Sequence, residues 1–115
     1  MTNSAMPTAL APVARPATPV RALPDGACDT HVHMVAGPQD FPLWSGRVED
    51  PAAGNFDDWI ARLQSHLSDL GLARVVLVHS ILYGGDNAVT LAAIKRLGPD
   101  VARGIALVPD GASDR

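Results

Sequence analysis

The strongest chemical signal in the sequence is a set of three residues, Asp29, His31 and His33, in the string C-D-T-H-V-H. A neutral imidazole is a common ligand of divalent ions, and a general acid or base near neutral pH. Side chains of an extended strand alternate with period two. Alternation predicts Asp29, His31 and His33 on one face, with Cys28, Thr30 and Val32 on the other. Two imidazoles on one face can share a divalent metal such as zinc, and a carboxylate beside them can orient one ring through its second nitrogen. The plain alternative is a pair of solvated or hydrogen-bonded histidines at a strand end, since H-x-H is a short string.

A strand must hold these residues, and the flanking sequence predicts one over 27–33, after the Pro24-Asp25-Gly26 turn signal. Residues 36–54 are rich in Gly and Pro and have no periodicity. They form a long loop, the kind that is usually functional in a compact domain. A helix is predicted over 56–70, where Trp59, Ile60, Leu63, Leu67 and Leu70 form one apolar stripe, Asn55 is the N-cap and Gly71 the C-cap. Arg74 to His79 reads as a strand covered on both faces. A second helix is predicted over 87–97, with Ala88, Leu91, Ile94 and Leu97 on its apolar side, and a third strand over 102–108. Strand–helix–strand–helix–strand predicts a parallel sheet with right-handed crossovers. The histidine pair then falls at the C-terminal end of the first strand, the end where parallel α/β folds bind ligands.

Composition narrows the function classes. The chain has 115 residues, so it holds one domain at most. Nine Lys plus Arg against twelve Asp plus Glu give a net charge of −3 with no basic cluster, which argues against a nucleic-acid partner. The single cysteine, Cys28, rules out an intrachain disulfide framework and a C-x-x-C zinc site. No apolar run reaches the ~20 residues of a membrane span, so no membrane partner is expected. Residues 1–26 hold five of the ten prolines and no aromatic residue, and are expected to form a disordered or polyproline-like Pro/Ala-rich arm. Met1 to Ala14 carries no basic residue and is broken by Pro7 and Pro12, against a signal peptide. The expectation is a cytoplasmic chain whose ordered domain spans 27–115.

The string A-C-D-T-H-V-H on a first strand resembles the amidohydrolase superfamily, whose members are (β/α)8 TIM barrels. Pro51, then F-D-D-W-I-A-R-L and L-G-L-A-R-V-V-L-V, resembles its amidohydrolase-2 branch, the TIM-barrel metal-dependent hydrolases. Y-G-G-D-N at 83–87 and V-A-R-G-I-A-L-V at 101–108 look like the 2-pyrone-4,6-dicarboxylate lactonase group. The resemblance runs from about Ala27 to Val108. It implies the N-terminal three-strand portion of a (β/α)8 barrel, and hydrolysis of a lactone or amide bond in a small carboxylated substrate. His31 and His33 are implied as catalytic, either holding a divalent metal such as zinc or manganese or, as in the resembled lactonases, polarising the carbonyl without one. A decarboxylase of the same fold is an alternative. A complete barrel takes ~250 residues, and the implied further histidines and late aspartate general base lie on strands this chain does not contain. A truncated, non-catalytic remnant is therefore a second alternative, and the 115-residue chain alone is expected to be inactive and to self-associate.

Three more residues are candidate substrate contacts: the Ser80 hydroxyl, the Tyr83 ring, and the Arg47 guanidinium beside Trp44 in the long loop, suited to clamp a carboxylate. His79 is expected to turn away from the site, under a helix. Asp86 and Asn87 are expected to form a turn and an N-cap, and His66 to lie at the helix boundary.

Overall fold

The computed structural model describes residues 6–113. Residues 1–5 of the arm and 114–115 of the expected domain lie outside the described residues. Three strands, β1 (Cys28–Val32), β2 (Arg74–Val78) and β3 (Ala102–Ile105), form one parallel sheet in the order β1-β2-β3. Helix α1 (Phe56–Leu70) joins β1 to β2, and α2 (Ala88–Leu97) joins β2 to β3. This is the expected α/β alternation, with each strand ending earlier than the sequence suggests.

Helix α1 has the predicted bounds because its ends are closed locally. The Asn55 side chain accepts from the Asp58 N–H at 2.8 Å, and the Asp58 carboxylate accepts from the Asn55 N–H at 3.3 Å, a reciprocal capping box. The Asp40 carboxylate takes the Phe56 N–H at 2.9 Å, so the long loop also caps the helix. Gly71 ends it at φ 74°, a left-handed conformation that glycine adopts without steric cost.

The core lies between the sheet and the helices. Val75 and Leu77 of β2, Ala102 of β3, Ile60 and Leu67 of α1, and Val89 and Ala93 of α2 are all buried there. Val76 and Val78, on the other face of β2, are only half-buried. The expectation of a strand covered on both faces is met on the helix side alone, because no second layer lies over the opposite face among the described residues.

Helix α2 meets the expected inward side in part: Ile94 and Leu97 pack against the core, but the helix is rotated away from Leu91. Val89, Thr90 and Ala93 are buried, whereas Leu91 is 63% exposed. The inward side is set by a polar contact: Thr90 Oγ1 lies 2.8 Å from Nδ1 of the buried His79. Strand β3 stops at Ile105 rather than at 108 because the Asn87 side chain takes both backbone groups of Leu107 at 3.0 Å, leaving nothing for a ladder. A short 3-10 turn, Ile81–Tyr83, follows β2.

Among the described part of the arm, residues 6–26 contain no helix and no strand of the sheet, only an isolated bridge between Thr8 and Asp50. The arm also meets α1: the Arg62 guanidinium donates to the Pro12 carbonyl, a His66 ring nitrogen lies 3.2 Å from the Ala14 carbonyl, and Arg15 pairs with Asp69 at 2.8 Å. No helix among the described residues is long and apolar enough to cross a membrane.

Candidate functional site

The register of β1 against β2 decides where the histidines point. Asp29 pairs with Val75 and Val32 with Leu77, so β1 advances three residues while β2 advances two. The extra residue is a β-bulge. Val32, beside the fully buried Leu77, packs against the core, and its neighbours His31 and His33 are exposed on the opposite, open face. Their rings meet edge to face, with centroids 5.1 Å apart and planes at 88°.

The bulge also corrects the expectation for Asp29. Alternation counted from Asp29 does not run through to the histidines, and its register partner Val75 belongs to the helix-facing row. Its carboxylate accepts from the backbone N–H of His31 at 3.1 Å instead of from an imidazole. Asp29 therefore shapes the bulge and does not orient a ring.

His33 is oriented by β2. Its Nδ1 lies 2.8 Å from the Val78 carbonyl oxygen. A carbonyl only accepts, so Nδ1 carries the proton and the Nε2 of the neutral ring presents a lone pair. That tautomer suits a metal ligand or a proton acceptor. A ring donating to a substrate carbonyl through Nε2 must instead be the doubly protonated imidazolium. The pair supplies two donors of the kind a zinc site uses. No group of three or more His, Cys, Asp or Glu suited to a metal ion occurs among the described residues, so the donor set here is partial.

The other expected contacts are largely committed elsewhere. The Tyr83 hydroxyl donates to the Ala36 carbonyl at 2.8 Å and accepts from the Ala36 N–H at 2.7 Å, and the residue is buried. Burial pushes its phenol above the usual range. Tyr83 ties the loop after β1 to the turn after β2 and is not free for a substrate. The Arg47 guanidinium pairs with the Asp50 carboxylate at 2.9 Å and donates to the Trp44 carbonyl at 3.1 Å, contacts that brace its own loop. Ser80 is buried, and its hydroxyl accepts from the Leu82 N–H at 3.2 Å, capping the 3-10 turn.

Ser80 still reaches a cavity of about 390 Å³ beside the end of β1, which His33 also lines, along with Trp59 and Leu63 of α1 and Leu10 of the arm. His79 lies buried under α2, as expected. Its Nε2 donates to the Gly84 carbonyl at 3.0 Å, which leaves Nδ1 to accept from Thr90. Asn87 was expected as an N-cap, but it makes no side-chain cap hydrogen bond. Asp86 caps the Ala88 N–H at 3.1 Å in its place.

The site is thus two histidines on the open face of a parallel sheet, at the C-terminal end of β1. Over 94 residues, 82% of this chain, the sequence is 34% identical to a 4-sulfomuconolactone hydrolase of Rhizobium radiobacter. Over 101 residues, 88% of the chain, it is 36% identical to a 2-pyrone-4,6-dicarboxylate hydrolase of Comamonas testosteroni. This chain is similar to lactone hydrolases. It spans about a third of the length of these curated relatives, 30% and 32% respectively. No protein-family model matches the chain. The crystal structure of an Agrobacterium tumefaciens protein in its apo form superposes with a TM-score of 0.63 at 23% identity, over 90% of this chain and 34% of that one. That likeness concerns the fold alone.

Proposed function

We propose that this chain is the N-terminal part of a longer amidohydrolase-type enzyme, the first three β/α units of a (β/α)8 barrel, and that the enzyme hydrolyses the lactone ester of a small carboxylated substrate. The observation that carries the reading is the imidazole pair: His31 and His33 stand ring to ring at the C-terminal end of β1, on the face a barrel would enclose, with His33 locked by Val78. The similarity to two lactone hydrolases supports it.

In this reading the lactone carbonyl lies against the two rings. His33 cannot rotate without losing the Val78 carbonyl, so its Nε2 keeps a constant direction, as a lone pair for a metal or, in the imidazolium, as an N–H aimed at the substrate oxygen. His31 packs edge-on against it and narrows the approach. A divalent metal, where bound, would be held by His31 and His33 together with ligands from the rest of the protein, and would polarise the carbonyl and acidify a bound water. Ser80 lines the neighbouring cavity between the end of β1, α1 and the arm, which His33 borders and His31 does not.

The test uses the full-length protein with a carboxylated lactone. Replacing His31 or His33 with Ala should lower kcat by roughly a hundredfold or more while leaving the melting transition in place. Metal analysis and chelation then separate the two mechanisms. Stoichiometric zinc or manganese, with activity lost on chelation, identifies a metal centre; full activity after chelation identifies hydrogen-bond polarisation. Wild-type rates from both alanine variants would overturn the assignment.

A further inference from the structure

The open face of the sheet carries one cation that no role yet explains. Ala102 is buried, and a Cβ added at Gly104 would lie 2.6 Å from Ile94 Cδ1, so these two residues of β3 face the helices. Arg103 and Ile105 therefore face the other way, in register with Val76 and Val78. That is the face of His31 and His33, and the Val78 carbonyl that holds His33 belongs to the same part of it.

Across that face the neighbours of Arg103 are aliphatic: Val76, Val78 and Ile105. Among the described residues its guanidinium has neither a carboxylate nor a carbonyl partner, whereas Arg15, Arg47 and Arg96 pair with carboxylates and Arg62 and Arg74 donate to backbone carbonyls; Arg21 of the arm is likewise unpaired. Arg103 sits two strands from His31, on the order of 10 Å across the sheet. A small ring and the arginine's own stem together cover that gap.

We propose that Arg103 is a specificity-determining residue, which binds the anionic group, carboxylate or sulfonate, that the lactone carries away from its scissile ester. This inference rests on the hydrolase reading above. In a closed barrel this face is shielded from water, and a guanidinium enclosed there without an anion is strongly disfavoured. A planar fork with five N–H donors matches a carboxylate or sulfonate in two-point contact, and aliphatic surroundings strengthen the contact by excluding water. The histidine pair then acts on the ester while Arg103 sets which lactones reach it.

The experiment compares Arg103→Met and Arg103→Lys with wild type in the full-length protein, using an anionic lactone and its neutral methyl ester. For the Met variant, KM for the anionic lactone should rise at least about tenfold, with kcat changed far less and the neutral ester unaffected. The Lys variant should fall between, because it keeps the charge and loses the fork. If the Met variant does not fold, the Lys variant carries the same comparison. Benzene-1,3-dicarboxylate, measured by calorimetry, gives a readout independent of turnover, and its Kd should weaken in parallel. An unchanged KM and Kd would overturn the proposal. So would an equal loss for both lactones, the pattern of an arginine paired with a carboxylate of the protein itself. If the wild type fails to hydrolyse either lactone but binds the dicarboxylate through Arg103, the hydrolase reading falls and the anion site stands.

Discussion

At the scale of single residues, the contact that most constrains the site is the two-bond ring between Tyr83 and the backbone of Ala36. It joins the segment after β1, which begins at His33, to the turn after β2. Removing the hydroxyl leaves a buried N–H and a buried carbonyl without a partner, so Tyr83→Phe should cost about 1–3 kcal/mol in denaturant unfolding. The pH dependence has a definite sign. The folded phenol titrates above its unfolded value near 10 because burial disfavours the phenolate. Its contribution to stability is thus fully present below that value and is lost as pH rises through the folded one. Tyr83 is the only tyrosine in the sequence. Phenolate absorbance therefore reports this group alone, and its onset should coincide with alkaline unfolding. A Tyr83 that ionises normally in the folded chain would contradict the account. The histidine pair was legible as a pair from residue type and spacing, but the role expected of Asp29 was not. A bulge inserts one residue into the alternation on which that expectation depended.

At the scale of elements, α1 was readable to the residue because its caps are local in sequence: Asn55 with Asp58, and Gly71. The side of α2 that faces inward was readable only in part: Ile94 and Leu97 pack inward as spacing implies, but Leu91 does not. In A-V-T-L-A-A-I-K-R-L, apolar residues occur all round the helix, and the rotation is chosen by His79, eleven residues before Thr90 in the chain. The far end of β3 is likewise set from a distance, by Asn87. Asn87→Ala should free the Leu107 backbone and destabilise the fold by about 1–3 kcal/mol. Asn87→Asp should recover only part of this, since a carboxylate accepts from the Leu107 N–H but cannot donate to its carbonyl. Equal stability of all three forms would show that the contact does not hold the strand end.

At the scale of the whole molecule, the open face and the sheet edges matter most. The outer edges of β1 and β3 have no partner strand among the described residues, and Ile105 on the uncovered face is 55% exposed. Unpaired edges beside apolar side chains are templates for association. The 115-residue chain expressed alone should therefore sediment as oligomers and show no lactone hydrolysis above buffer. A monomer with a sharp cooperative melt and His31-dependent turnover would refute both the barrel reading and this expectation.

The sequence by itself determined the parallel α/β alternation, the caps of α1, the histidine pair and the resemblance to lactonases. Each rests on near-neighbour periodicity or on residue types a few positions apart. Only the tertiary structure decided which groups remain free for chemistry. Tyr83, Arg47 and Asp29 have the right functional groups, yet the Tyr83 hydroxyl is engaged by Ala36, the Arg47 guanidinium by Asp50 and Trp44, and Oδ1 of Asp29 by the His31 backbone. Arg103 carries no motif in a short strand, and only the register of β3 against β2 puts it on the face that carries His31 and His33. The physical reason is that each donor or acceptor site of a polar group, once paired within the protein, is not available to a ligand. Which partner claims it depends on chain segments tens of residues away, brought into register by a sheet whose bulge local spacing does not reveal.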